Sequence, residues 1–423
     1  MEQLPTELIG EVCGALCPHC KEHRDEGIVY DFMFSGTWQR QALVNLCLTS
    51  SKLRAIAQPF LYHRITIPNG ETTHIVSLLD TLISRPDLAR ATKHIITPSR
   101  SDDVTINDEV LSRLTQAARR TGLRLPDDWA EDIACLPDRL MQQLILQVPH
   151  IELVAFLSVG LEPWDLLQSV DPFTRSLPAL RKVVLDYWDT ESGYDLSDMA
   201  SLFSLATNVN RLSLYRCCDI LGTLPLQNVT CLILGTCWIP ADDMSRLLSS
   251  CGKLNTFAYD GSAYDVGEGN NGISANQLVH MLREQGHSGT LRRLYLDYSL
   301  GFQGEPESIN SLDGFSQLQE LYLGSVFIRW LEAVAADGSG GVLPASLKEI
   351  GLYGPSESMR VTLIWVVAQA SEGFFPRLKR IRSDYGNGGD GGDDGAQGHL
   401  RPGLDHSGIT YSGRGVDPIV GWA

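Results

Sequence analysis

Three cysteines and two histidines fall within eleven residues of the N-terminal region, Cys13-Gly-Ala-Leu-Cys17-Pro-His-Cys20-Lys-Glu-His23. Thiolate sulfur and imidazole nitrogen are the donors that tetrahedral zinc prefers, and Cys13, Cys17, Cys20 and His23 have a compatible spacing. Cys13, however, lies in an apolar-periodic segment near Leu16, where a thiol packs as a small hydrophobe. With Cys13 turned inward, only Cys17, Cys20 and either His19 or His23 stay close together. A fourth ligand then has to come from elsewhere, for example Asp25 or Cys47. The sequence is therefore read as having no metal or cofactor, with Cys13, Cys17, Cys20 and His23 as the alternative zinc set, acting as a staple on a long loop.

No other stretch assembles chemistry. The chain has no Gly-x-x-x-x-Gly-Lys-Ser/Thr phosphate loop, no Gly-x-Ser-x-Gly elbow and no His-Glu-x-x-His pair. Its ten histidines are scattered, and no catalytic residue is expected. A net charge of −17 over 423 residues, with no basic stripe, disfavours nucleic acid and membrane surfaces as partners. No apolar run reaches the roughly 18 residues of a membrane span, and the N-terminus lacks the pattern of a secretory signal. The ten cysteines are accordingly expected to be reduced thiols in the cytoplasm or nucleus, where the sequon Asn228-Val-Thr230 is irrelevant.

Apolar residues at 4, 8, 9, 12 and 16 mark one face of a helix, with Pro5 in its first turn. A second apolar segment covers Ala42–Leu48. Thr49, Ser50 and Ser51 offer an N-cap for a third helix bearing Leu53, Ile56 and Ala57, which Pro59 is expected to stop. Residues 60–67 alternate as a strand does. Three such helices bury little surface alone, so their apolar face needs completion by the rest of the chain or by a partner.

Leu4-Pro-Thr-Glu-Leu-Ile9, followed by Leu43-x-x-Leu46-x-Leu48-Thr-Ser-Ser-x-Leu53-Arg, resembles an F-box. Ile56-Ala-Gln-Pro-Phe-Leu-Tyr62 is similar to the way fungal F-box proteins leave that motif. The resemblance implies docking on the Skp1 adaptor of a cullin-RING (SCF) ubiquitin ligase, through Leu4, Pro5, Leu8, Ile9, Val12, Leu43, Leu46, Leu48 and Leu53. Two features depart from the family pattern. Leu53 stands where many F-boxes carry tryptophan, and residues 17–39 lengthen the first connection.

The pattern apolar-x-x-apolar-x-apolar begins at 151, 180, 209, 229, 254, 291, 318 and 347, with a weaker copy at 378. Successive copies start 20 to 37 residues apart by subtraction, near the leucine-rich-repeat period of about 20–29. Helical returns are visible at 198–205, 241–248 and 275–282. The expected fold is α/β: a three-helix F-box over 1–67 with an insert at 17–39, a connecting segment with irregular repeats over 68–150, and a leucine-rich-repeat solenoid over 151–385. The solenoid is a curved parallel sheet with helical returns. Within 68–150, a strand is expected at 92–96, a helix at 136–146 and a polar insertion over 99–128. Residues 386–423 begin with a Gly/Asp-rich run and read as a disordered tail.

Alternation turns the second and third apolar positions of each copy inward and the residues before, between and after them, Glu320, Glu349, Arg380 and Arg382 among them, onto the concave sheet face. That face is expected to expose Arg211, Tyr215, Arg293, Tyr295, Tyr322 and Tyr353 to a protein substrate, tyrosine and arginine being frequent anchors of interfaces. Together these features suggest the substrate-recognition subunit of an SCF-type ligase, in which ubiquitin transfer is catalysed by partner subunits. The alternative is a leucine-rich-repeat scaffold with no role in ubiquitination.

Overall fold

The computed structural model describes residues 4–21, 37–67, 72–97, 107–126, 129, 136–156, 164, 166–187, 193–261, 273–298, 309–337, 342–353, 356–383 and 409–412. Its first layer is helical: α1 (Thr6–Leu16), the short α2 (Pro18–Lys21), α3 (Thr37–Thr49) and α4 (Ser51–His63). Ser50 caps α4 by accepting a hydrogen bond from the Leu53 amide at 3.3 Å, within the expected Thr49–Ser51 start. The expected stop at Pro59 and strand from residue 60 are overturned, because α4 runs through Pro59 to His63 and only Arg64–Thr66 is strand β1. Proline removes one helical hydrogen bond. Burial of Leu53 and Ala57, with Ile56, Phe60 and Leu61 packed beside them, outweighs that loss.

Twelve strands form one sheet in which every pairing is parallel, and the twelve lie side by side in chain order. They are β1, β2 (His94–Thr97), β3 (Leu153–Phe156), β4 (Lys182–Asp186), β6 (Arg211–Tyr215), β8 (Cys231–Gly235), β9 (Thr256–Asp260), β10 (Arg293–Asp297), β11 (Glu320–Leu323), β12 (Glu349–Leu352), β13 (Arg380–Ser383) and β14 (Thr410–Ser412). A separate small pair joins β5 (Tyr194–Asp195) to β7 (Cys217–Asp219). All nine copies of the apolar pattern are strands of the large sheet. Their second positions stand in one register row from Val154 through Val183, Leu212, Leu232, Phe257, Leu294, Leu321 and Ile350 to Ile381.

Helices cover the face on which that row lies. The main core combines the row with residues from α5 (Thr72–Ser84), α7 (Asp108–Thr121), α8 (Leu136–Gln147), α9 (Ala200–Leu205), α10 (Ala241–Ser250), α11 (Ala275–Glu284), α12 (Ser325–Asp337) and α13 (Ser356–Ser371). A further helix, α6 (Pro86–Ala91), leads into β2. Ser274 and Gln277 close a capping box on α11, one local reason for that return to be helical. Among the described residues, only strands and strand ends contribute to the apolar cluster on the opposite face. A parallel sheet usually carries helices on both faces. Here, among the described residues, helices pack into the main core on one face and none contributes to the apolar cluster on the other.

The sheet takes in more than the repeats from 151 on: β1 joins it, and the connecting segment supplies β2 and α8, close to the strand expected at 92–96 and the helix expected at 136–146, together with α5 to α7. The segment from 386 on also returns to the sheet, as Thr410–Ser412 pairs with β13 and the Thr410 amide donates to the Lys379 carbonyl at 2.9 Å. The rest of that expected tail lies outside the described residues. A chain ending at residue 408 should lose about tenfold or more of the hydrogen-exchange protection of the Arg380–Ser383 amides, while β6 keeps its protection. Unchanged protection in β13 would remove β14 from the sheet.

Candidate functional site

The helices α1, α3 and α4 enclose a small core of Ile9, Cys13, Leu43, Leu53 and Ala57. The residues expected to dock an adaptor therefore divide. Leu4, Pro5, Leu8 and Leu48 are exposed, with Leu8 at 51% and Leu48 at 71%, while Val12 and Leu46 are half-buried. Ile9, Leu43 and Leu53 are fully buried between the helices, which corrects their assignment to an outer face. Leu8 and Ile9 point about 100° apart, and the packing of the trio turns Ile9 inward while Leu8 stays outside. Trp38, 63% exposed at the start of α3, joins the exposed set and lay hidden in the expected insert; the Lys21 ammonium sits 5.6 Å from its ring. In denaturant unfolding, Ile9→Ala and Leu53→Ala should each cost about 2–5 kcal/mol. Leu8→Ala and Leu48→Ala should stay within about 0.5 kcal/mol.

On the helix-free face of the sheet, the six residues expected to contact substrate do share one surface, but less openly than expected. Arg211, Tyr215, Tyr295 and Tyr322 are buried, Tyr322 to 3% exposure, and Arg293 and Tyr353 are half-buried. The tyrosines lie along the sheet instead of standing off it. Tyr215 is in register with Gly235 and Tyr322 with Gly351, and a Cβ on either glycine would collide with the ring. Tyr322 also stacks on Tyr353, with centroids 6.2 Å apart, and donates to Glu349. Burial, then that carboxylate, raises the Tyr322 hydroxyl well above the ordinary phenol range.

Glu349 is the hub at this end of the face. Arg380 approaches it at 2.7 Å and Arg382 at 2.6 Å, and the carboxylate is itself largely buried. Burial raises the neighbouring Glu320 carboxyl, Arg293 opposes the shift, and Glu349 adds to it. Glu320, Glu349, Arg380 and Arg382 were legible as face residues from alternation, but only the register brings them together. In a double-mutant cycle, Gly351→Ala should cost about 1–3 kcal/mol in the parent chain and clearly less beside Tyr322→Ala. An equal cost in both backgrounds would mean that the ring does not rest on the glycine.

A third cluster lies where the helices meet the sheet. Cys17 follows α1, His19 and Cys20 sit on α2, and His63 ends α4, each placing one donor atom within 4.8 Å of the others. His63 Nδ1 is 3.6 Å from Cys17 Sγ and 3.4 Å from Cys20 Sγ, and His19 Nδ1 is 3.8 Å from Cys20 Sγ. On its other side, His19 Nε2 is 3.6 Å from Glu152 just before β3, and the His19 ring meets that of His94 on β2 edge-on at 4.7 Å. Burial pushes the Cys17 thiol up to about 12. Burial also lowers His63 to about 4, so its imidazole is neutral, and His19 and Lys93 push it the same way. Burial alone would raise Glu152, but the Lys93 ammonium at 3.0 Å, together with His19, holds the carboxyl below its usual range.

Of the four zinc ligands considered in the sequence, Cys17 and Cys20 belong to this cluster. Cys13 is in the helical core, where burial raises its thiol, and Cys47 lies near it. His23 and Asp25 lie outside the described residues. The nine cysteines among the described residues are all free of disulfides. His63 escaped notice because it stood in an expected strand 43 positions from Cys20.

A comparison with protein-family models finds no matching family, and a comparison with curated proteins finds no match. Among the described residues, no helix is long and apolar enough to cross a membrane.

Proposed function

We propose that this chain is the substrate-recognition adaptor of an SCF-type E3 ubiquitin ligase, with an F-box in α1, α3 and α4 and degenerate leucine-rich repeats in the sheet. The observation that carries this reading is the exposure of Leu4, Leu8 and Leu48 on a helical trio whose core is already filled by Ile9, Leu43 and Leu53. Large apolar side chains left exposed on one helical trio are what an adaptor-docking surface would present. The sequential, one-sided parallel sheet supports the repeat reading, since stacked strand–return units bury one continuous core. Its helix-free face, with Tyr353, Arg293, Arg380 and Arg382 accessible, is the place for a protein substrate. The chain would then accelerate ubiquitin transfer by holding a substrate lysine near a partner's loaded conjugating enzyme, a proximity effect that needs no catalytic residue here.

Co-expression with a Skp1-like adaptor tests the assignment. A Leu8→Asp/Leu48→Asp double variant should lose at least about tenfold in adaptor affinity, in line with buried apolar anchors at interfaces, while melting like the parent. Failure of the parent chain to bind the adaptor favours the alternative, a leucine-rich-repeat scaffold outside ubiquitination. Binding that survives in the double variant removes Leu8 and Leu48 from the interface.

A further inference from the structure

We infer that Cys17, His19, Cys20 and His63 form a tetrahedral zinc site that locks the N-terminal helices onto the first strands of the sheet. This inference is independent of the adaptor reading.

The geometry carries it. With Zn–S near 2.3 Å and Zn–N near 2.0–2.1 Å, a tetrahedral Cys2His2 site places sulfur and nitrogen about 3.6 Å apart. The three sulfur–nitrogen separations found here are 3.4, 3.6 and 3.8 Å. Two thiols and two imidazoles converging at tetrahedral spacing select zinc among the common divalent ions, since magnesium and calcium require oxygen donors. The site is complete within the chain and comes from two segments, 17–20 and 63.

Its surroundings match those of a ligating histidine. Such a residue commonly presents its second ring nitrogen to a carboxylate, which fixes the ring. Here His19 turns Nδ1 toward Cys20 and Nε2 toward Glu152, which Lys93 holds in turn. Cys17 is fully buried and points at the Phe60 carbonyl, 3.5 Å away, so its sulfur is shielded from the thiol–disulfide exchange that a Cys-x-x-Cys pair can otherwise undergo. Binding converts both thiols to thiolates and releases two protons to solvent, leaving the metal neutralised by Cys17 and Cys20 with His19 and His63 as neutral ligands.

The position gives the metal a role. It ties the end of α1, the whole of α2 and the last turn of α4 into one knot, and the His19–Glu152 contact joins that knot to the entry of β3. The ion therefore sets the angle between the helical trio and the sheet.

Elemental analysis of the purified full-length chain should find one zinc per molecule. Cys20→Ser and His63→Ala should lose it, Cys13→Ala and His23→Ala should retain it, and Glu152→Gln should weaken zinc binding by about 10–100-fold. Replacing zinc with Co2+ in the parent chain should give the intense visible bands of four-coordinate cobalt and a charge-transfer band sized for two thiolates. This arm stands even where a ligand variant fails to fold. A parent chain that holds no zinc and gives no thiolate–cobalt band overturns the site, as does a Cys17–Cys20 disulfide in the purified protein. Loss of zinc in Cys13→Ala or His23→Ala, with retention in His63→Ala, would move the site to the ligand set read from the N-terminal run alone.

Discussion

The structure depends on a register constraint. Side chains alternate along a strand, so one apolar row survives across a sheet only if every strand pairs without a one-residue slip. From Val154 to Ile381 the second apolar position of each copy meets its counterpart in the next strand, and the helices rest on the layer those residues make. A slip at any one strand would turn its leucines onto the opposite face and Arg211 or Glu349 into the core. The charged and aromatic residues of that opposite face owe their neighbours to the same constraint.

Much of this was legible because it is local. A three-position apolar pattern repeated nine times marks strands wherever it occurs, and each of its nine copies is a strand. Ser50 announces α4 in the same way. Less legible was whatever depends on pairing across the chain. Tyr215 and Tyr322 read as exposed on alternation alone, and only the register shows that each faces a glycine on the next strand, over which its ring can lie. Thr410–Ser412 follows a Gly/Asp-rich stretch whose composition gives no sign of a strand to come. Pro59 misled because its local cost to a helix is real, while the apolar packing around it is tertiary.

The candidate sites share that division. The motif at Leu4–Leu53 identified the helical trio, yet it mixed residues that fill the trio's core with those that leave its surface apolar. Burial separates Ile9, Leu43 and Leu53 from Leu4, Leu8 and Leu48. The Cys/His run identified two thiols, and folding adds His63 through the continuation of α4 past Pro59. The last turn of α4 thus brings an imidazole to Cys20 on α2, 43 positions earlier. This knot of thiols and imidazoles joins the ends of α1 and α4 and the whole of α2 to the entry of β3. A recognition subunit of the proposed kind needs such a fixed junction, because the distance from adaptor to substrate sets which lysine is within reach.

Hydrogen-exchange mass spectrometry of the full chain with and without a saturating Skp1-like adaptor tests the central claim most directly. The account predicts new protection in the first two turns of α1 and in α3, with β6 to β12 unchanged. Protection along those strands with none in α1 and α3 would contradict it.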